Sequence, residues 1–202
     1  VEFGIKYSDF GFLAKLPYTI TNGNLGQTNG FGDSTLLISS IIYSKDDLVL
    51  SLAGGVKIAT NEADLRNQDN LPMPMAYQTS NGTNDIIALF SANYSNWVLS
   101  TGVQIPLDRN KNSFINKSTL VDPIPGVFDY YYLNWSKYES SRNFKRGSDA
   151  MLKIEKYFEV NEGLKLMVGV LPVYRLSESV YEDFGGEYIT IKNTNGLTLN
   201  II

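Results

Sequence analysis

Apolar and polar side chains alternate with a period of two along most of this chain. Residues 1–7 place Val1, Phe3, Ile5 and Tyr7 on one face and Glu2, Gly4 and Lys6 on the other. Residues 10–20 repeat the pattern with Phe10, Phe12, Ala14, Leu16, Tyr18 and Ile20, and residues 48–58 with Leu48, Leu50, Leu52, Val56 and Ile58. Residues 86–94, 97–105, 150–158 and 164–176 alternate in the same way. Over these seven segments 34 of 38 positions on one face are apolar, against about a third on the other. Successive side chains of a strand point to opposite sides, so the pattern predicts strands. Residues 34–43 alternate poorly and are assigned as a strand by context. Two weaker strands are expected near residues 187–192 and 196–202. No 3.6-residue stripe competes, and only residues 126–141 leave room for a short helix. The expected count is ten strands.

The connections carry a second pattern. Short turns are expected at Ser8-Asp9, residues 44–47, Ser95-Asn96, residues 161–163 and residues 193–195. Long polar connections are expected at residues 21–32, 61–84, 107–148 and 177–186. Short and long alternate, so an up-and-down meander places all short turns at one end and all long loops at the other. That is the layout of an antiparallel transmembrane β-barrel of the outer membrane. Tyr7, Phe10, Tyr43, Tyr94, Trp97, Tyr157 and Phe158 flank the short turns and suit an interfacial girdle. The expectation is one all-β barrel domain over residues 1–202. With ten strands and both termini of an intact barrel on the periplasmic side, one strand would be missing at each end, giving about twelve in the whole protein.

Three long connections end alike: Gly32-Asp33, Gly82-Thr83-Asn84-Asp85 and Gly147-Ser148-Asp149. Glycine permits a sharp entry from loop to strand, and aspartate can accept from amides near a turn. Gly32, Asp33, Gly82, Asp85, Gly147 and Asp149 are therefore read as structural anchors.

Composition narrows the chemistry. The chain of 202 residues has no His and no Cys. This removes Ser-His-Asp and Cys-His catalysis, imidazole and thiolate metal sites and disulfides. No replacement constellation is found, so no enzyme, cofactor or metal is expected. Seventeen Lys+Arg against 21 Asp+Glu give a net charge of −4 and no basic footprint for nucleic acid. No run approaches the 18 apolar residues of a spanning helix.

The block Leu16-Pro17-Tyr18, followed by Gly30-Phe31-Gly32-Asp33-Ser34-Thr35-Leu36, resembles the start of the transporter-like outer-membrane barrels named for the MetA pathway of phenol degradation. Gly54-Gly55-Val56-Lys57-Ile58-Ala59-Thr60, Gly82-Thr83-Asn84-Asp85 and Val103-Gln104-Ile105-Pro106 extend the likeness to about residue 107. Ala59 stands where that family tends to have Pro, and the long middle loop also departs from it. The resemblance implies an outer-membrane barrel in contact with lipid more firmly than it implies a cargo.

If the apolar face meets lipid, the other face lines a lumen. It carries Glu2, Lys6, Lys15, Lys57, Gln104, Lys153, Glu155, Lys165 and Arg175, beside Leu13, Ile87, Leu89, Met151, Met167 and Leu171. Such a mixed lining suggests passage of small hydrophobic or amphipathic solutes, or charges that merely pair across strands. Phe128, Tyr130, Tyr131, Tyr132, Trp135 and Tyr138 crowd one loop and could gate the mouth, or pack on one another. Three functions stay open: a passive channel, a sealed structural or adhesive barrel, and a soluble lipocalin-like β binder.

Overall fold

The computed structural model describes residues 1–116, 136–161 and 163–201. The protein is all-β and its strands pair antiparallel. Thirteen strands are described: β1 Glu2–Tyr7, β2 Phe10–Lys15, β3 Tyr18–Gly23, β4 Gly26–Phe31, β5 Ser34–Lys45, β6 Leu48–Ile58, β7 Asp85–Tyr94, β8 Trp97–Pro106, β9 Asp149–Asn161, β10 Leu164–Arg175, β11 Ser179–Glu182, β12 Tyr188–Ile191 and β13 Gly196–Ile201. Nine form the main sheet, in the order β1-β2-β5-β6-β7-β8-β9-β10-β13. The other four form two ribbons, β3-β4 and β11-β12. The only helical turn among the described residues is Met75–Tyr77, and residues 136–141 are turn and bend rather than helix.

The alternating segments supply the long strands of this sheet, and the short turns join them as expected. Tyr7 pairs with Phe10, Lys45 with Leu48 and Tyr94 with Trp97, leaving two-residue connections. The first connecting residue is left-handed in each: φ is 52° at Ser8, 49° at Asp46 and 52° at Ser95. Positive φ at this position matches hairpin twist to strand twist.

Four expectations need correction. The apolar alternation of residues 10–20 runs through Pro17, yet the strand ends at Lys15 and a new one starts at Tyr18. Proline has no N–H for the ladder, so the chain leaves the sheet there. Residues 21–32 are not a loop: they complete the β3-β4 hairpin, with Gly23 opposite Gly26. The strand expected at residues 187–192 pairs only with β11, outside the main sheet. The turn 193–195 therefore lies at the long-connection end, and β13 runs toward the short turns, with Gly196 opposite Arg175 and Ile201 opposite Val170. The main sheet thus has nine strands rather than ten, and the parity behind the count of twelve changes. The sheet is also open, with β1 and β13 at its edges.

Burial is inverted relative to an ordinary sandwich. The apolar face is exposed over the breadth of the sheet: Ile5, Phe12, Ile38, Leu52, Ile86, Leu99, Val168 and Leu199 are all solvent-accessible. The polar face holds the buried positions Lys57, Asp85, Ile87, Asp149 and Glu155. The buried apolar cluster, Leu25, Met73, Tyr77 and Phe114, lies not on the sheet but among the long connections. Tyr7, Phe10, Tyr43, Tyr94, Trp97 and Phe158 share the apolar face near the short turns, while Tyr157 pairs with Met167 on the other face. Lys156 stands over the Trp97 ring at 4.6 Å, within that aromatic band.

Candidate functional site

The long connections pack into a cap at one end of the sheet. Phe114 is fully buried, against Leu25, Met73 and Tyr77, with Tyr138 beside them. Tyr77 and Tyr138 meet edge to face at 5.6 Å between centroids, and their hydroxyls hydrogen-bond at 3.3 Å. That bond, reinforced by burial and by the neighbouring Tyr77, raises the Tyr138 pKa above the ordinary tyrosine value of 10.0. Buried amides replace regular structure in holding the connections together. Asn112 Nδ2 donates to the carbonyls of Ala63 (2.8 Å) and Met73 (3.1 Å), while its Oδ1 accepts from Phe114 N and Ser141 Oγ. Gln78 donates to Leu65 O and Met73 O and accepts from Leu65 N. A loop that must be buried satisfies its backbone with such side chains.

Beneath the cap, on the polar face, lies a row of alternating charges. Asp33 precedes β5, Lys57 is near the end of β6, Asp85 opens β7, Arg146 precedes β9, Asp149 opens β9 and Arg175 ends β10. Every one sits at the long-connection end of its strand, so antiparallel pairing brings residues far apart in sequence into one line. Lys57 Nζ is 3.3 Å from Asp33 Oδ2 and 3.1 Å from Asp85 Oδ2. Arg146 bridges onward, with Nη2 3.4 Å from Asp85 Oδ2 and Nη1 2.9 Å from Asp149 Oδ2. Arg175 Nε closes the row at 3.0 Å from Asp149 Oδ1.

Three carboxylates face three cations, so the row is neutral. The Asp85 side chain is fully buried, and those of Asp33 and Asp149 are 5% exposed. Buried charges persist only when paired and hydrogen-bonded. Neutral donors complete the shell: Ser80 Oγ and Asn81 N donate to Asp33, and Thr83 Oγ1 and Gln104 Nε2 to Asp85. The row fastens the connections 79–83 and 146–148 to five strands of the sheet.

All nine lining candidates read from the sequence share this face by register. Lys57, Gln104 and Arg175 join the row. Lys153 pairs with Glu155 at 2.9 Å, and Lys165 with Glu159 at 3.0 Å. Glu2 stands opposite Lys15 without an ion pair, and Lys6 lines a cleft of about 340 Å³ with Asp9, Ser39, Ser51 and Asn93. The anchors Asp33, Asp85 and Asp149 bind distant loops and strands rather than amides of their own turns. A Cβ on Gly82 would fall 2.4 Å from Ala63 Cβ, and one on Gly147 only 1.8 Å from Ser177 O. Of the loop aromatics, Tyr138 is in the cap; Phe128, Tyr130, Tyr131, Tyr132 and Trp135 lie outside the described residues. Arg146 was not anticipated from the sequence. Its one signal is its place three residues before Asp149. Among the described residues no group of three His, Cys, Asp or Glu is placed to hold a metal ion.

The fold and site define an all-β protein with an antiparallel meander, an exposed apolar face and a polar face whose charges pair with one another beneath the cap. No protein-family model matches the chain, and no curated protein matches its sequence.

Proposed function

We propose that this chain forms the wall and outer cap of an outer-membrane β-barrel that passes small hydrophobic or amphipathic solutes passively across the bilayer. One observation carries the reading: the face left open is apolar, and the face under the cap is charged and self-paired. In water, an apolar surface of this extent is a liability. In lipid it is the required outside of a barrel, with polar residues inside. The aromatic band near the two-residue turns fits the periplasmic interface, and the resemblance of the short glycine motifs to those of MetA-pathway barrels supports the same reading. Because β1 and β13 both run toward the short turns, antiparallel closure takes an odd number of further strands between these edges.

Heat-modifiability tests the barrel. A protein extracted in detergent should migrate differently on a gel before and after boiling; a soluble protein with no shift overturns the reading. Planar-bilayer conductance tests the channel. The neutral buried row favours a second reading, a barrel sealed at the cap end, and the absence of any conductance from a heat-modifiable protein selects it.

A further inference from the structure

The charged row has two unlike ends. Its negative end, Asp33, is saturated: besides Lys57 it accepts from Ser80 Oγ and Asn81 N. Its positive end, Arg175, is not. Only Nε of that guanidinium is engaged, by Asp149 Oδ1. Among the described residues neither Nη has a protein partner, and neither is shut away from solvent. Arg175 lines a cleft of about 250 Å³ with Asp149, Val173, residues 193–196, Leu197 and Thr198.

The cleft is built rather than incidental. Ser179 N donates to Thr194 Oγ1 at 2.7 Å, and Thr194 Oγ1 donates to Ile191 O at 2.8 Å, which fixes the wall. Asn193 has φ 63° and its backbone N donates to Glu178 Oε1 at 2.9 Å. The side-chain amides of Asn193 and Asn195 hydrogen-bond nothing among the described residues. Asp149 does not repel an anion here as a lone carboxylate would, since each of its oxygens is engaged by a guanidinium, Oδ2 by Arg146 and Oδ1 by Arg175. The cleft therefore offers an arginine fork held by its Nε, two amide side chains and a hydroxyl, Thr198, at the cationic end of the neutral row, with the Glu178 carboxylate engaged by Asn193 N. A planar carboxylate takes a pair of parallel N–H donors in the geometry a guanidinium provides.

We propose that this cleft binds the carboxylate group of a small organic solute, with the two Nη atoms of Arg175 as its principal donors. As a statement of solute chemistry it rests on the channel reading, and it assigns that channel amphipathic acids. The anion would cap the open end of the row as Ser80 and Asn81 cap the other.

The test is a footprint on the full chain in detergent. Phenylglyoxal modifies accessible guanidinium groups, and peptide mass spectrometry reads each arginine separately. Acetate and benzoate, at constant ionic strength with chloride, should slow modification of Arg175 saturably by about threefold or more and leave Arg66 unchanged. By calorimetry, Arg175→Lys should weaken benzoate binding about tenfold, because a point charge replaces the fork. Asn195→Ala, which leaves the ionic row intact, should weaken it about threefold. No saturable protection of Arg175 by either carboxylate up to about 50 mM overturns the site. Protection by inorganic phosphate alone overturns the carboxylate assignment. A non-conducting protein with a protected Arg175 keeps the site and rejects the channel, whereas a conducting protein with an unprotected Arg175 does the reverse.

Discussion

Replacing Lys57 with Met tests whether the charged row holds the cap on the sheet. The side chain is 9% exposed and its Nζ touches Asp33 Oδ2 at 3.3 Å, Asp85 Oδ2 at 3.1 Å and Thr83 Oγ1 at 3.2 Å. Methionine fills nearly the same volume, so packing changes little and the loss is electrostatic. Both carboxylates stay buried, and the distances to the shared Nζ keep those oxygens within roughly 6.5 Å of each other. At an effective dielectric constant near 20 their mutual repulsion is about 2–3 kcal/mol. Removing one partner of a buried pair costs about 3–5 kcal/mol in general. Asp33 keeps neutral donors and Asp85 keeps Arg146 Nη2 at 3.4 Å, so the expected loss is about 3 kcal/mol. Lys57→Met combined with Asp33→Asn should recover about half of it, since the carboxylate left without a cation is removed. The assay is hydrogen exchange of amides in residues 79–83 together with the temperature at which the folded gel band is lost. Lys165→Met serves as control: Lys165 and Glu159 are 72% and 71% exposed, and surface pairs contribute little. Equal behaviour of Lys57→Met and Lys165→Met would refute the idea that the row fastens the cap.

Four further outcomes follow from the geometry. Gly147→Ala should block folding of the cap end, because the new Cβ would lie 1.8 Å from a backbone oxygen, Ser177 O; limited proteolysis at residues 136–148 reads this. Tyr138→Phe should cost about 1 kcal/mol of cap stability at neutral pH by removing the hydroxyl contact with Tyr77. Since the Tyr138 pKa is raised in the folded state, its contribution is complete below the unfolded tyrosine value and lost as pH climbs through the raised one; an alkaline melt should lose that step in Tyr138→Phe. Leu52→Arg places a charge on the exposed apolar face and should cost about 2–4 kcal/mol of insertion into bilayers if that face meets lipid near the midplane, and almost nothing if it meets water, as a refolding titration into vesicles would show.

The long strands of the main sheet were legible because period-two alternation is a local property. β6 was bounded to the residue, and β7 and β8 to within one at each end. Pro17 shows the limit of the method. Leu16, Tyr18 and Ile20 keep the apolar beat across it, so the pattern alone extends a strand that the missing N–H ends. β4 was illegible for the opposite reason: Gly26–Phe31 carries one large apolar residue, and its Gln, Thr, Asn and Gly read as loop. Lys57, Gln104 and Arg175 were placed on the polar face by parity alone. Their partners were not, because pairing Asp85 with both Lys57 and Arg146 depends on strand order and on a connection that folds back, and neither leaves a local trace. The endings Gly32-Asp33, Gly82 to Asp85 and Gly147 to Asp149 marked where loops meet strands, but the same aspartates proved to be the anionic half of the row.

The two halves of the polar face treat their charges differently, and this bears on where a solute would travel. Over β6 to β10, Lys57, Lys153 and Lys165 each have a carboxylate within ion-pair distance, so their charges are spent on neighbouring side chains, and Arg175 is paired through Nε alone. Over β1 and β2, Lys6 and Lys15 have none among the described residues. The cleft lined by Lys6, Asp9, Ser39, Ser51 and Asn93 opens on that side, toward the short turns. Charges already neutralised by short-range pairs present a weak field to a passing molecule, whereas unpaired lysines hold theirs toward the water. On the channel reading, an acidic solute meets Lys6 and Lys15 beside Glu2 and Asp9 along β1, β2 and their turn, and the capped half of β6 to β9 as the inert wall. The strongest anion donors of the two walls, Lys6 and Arg175, then stand at opposite ends of the face, one near the short turns and one under the cap.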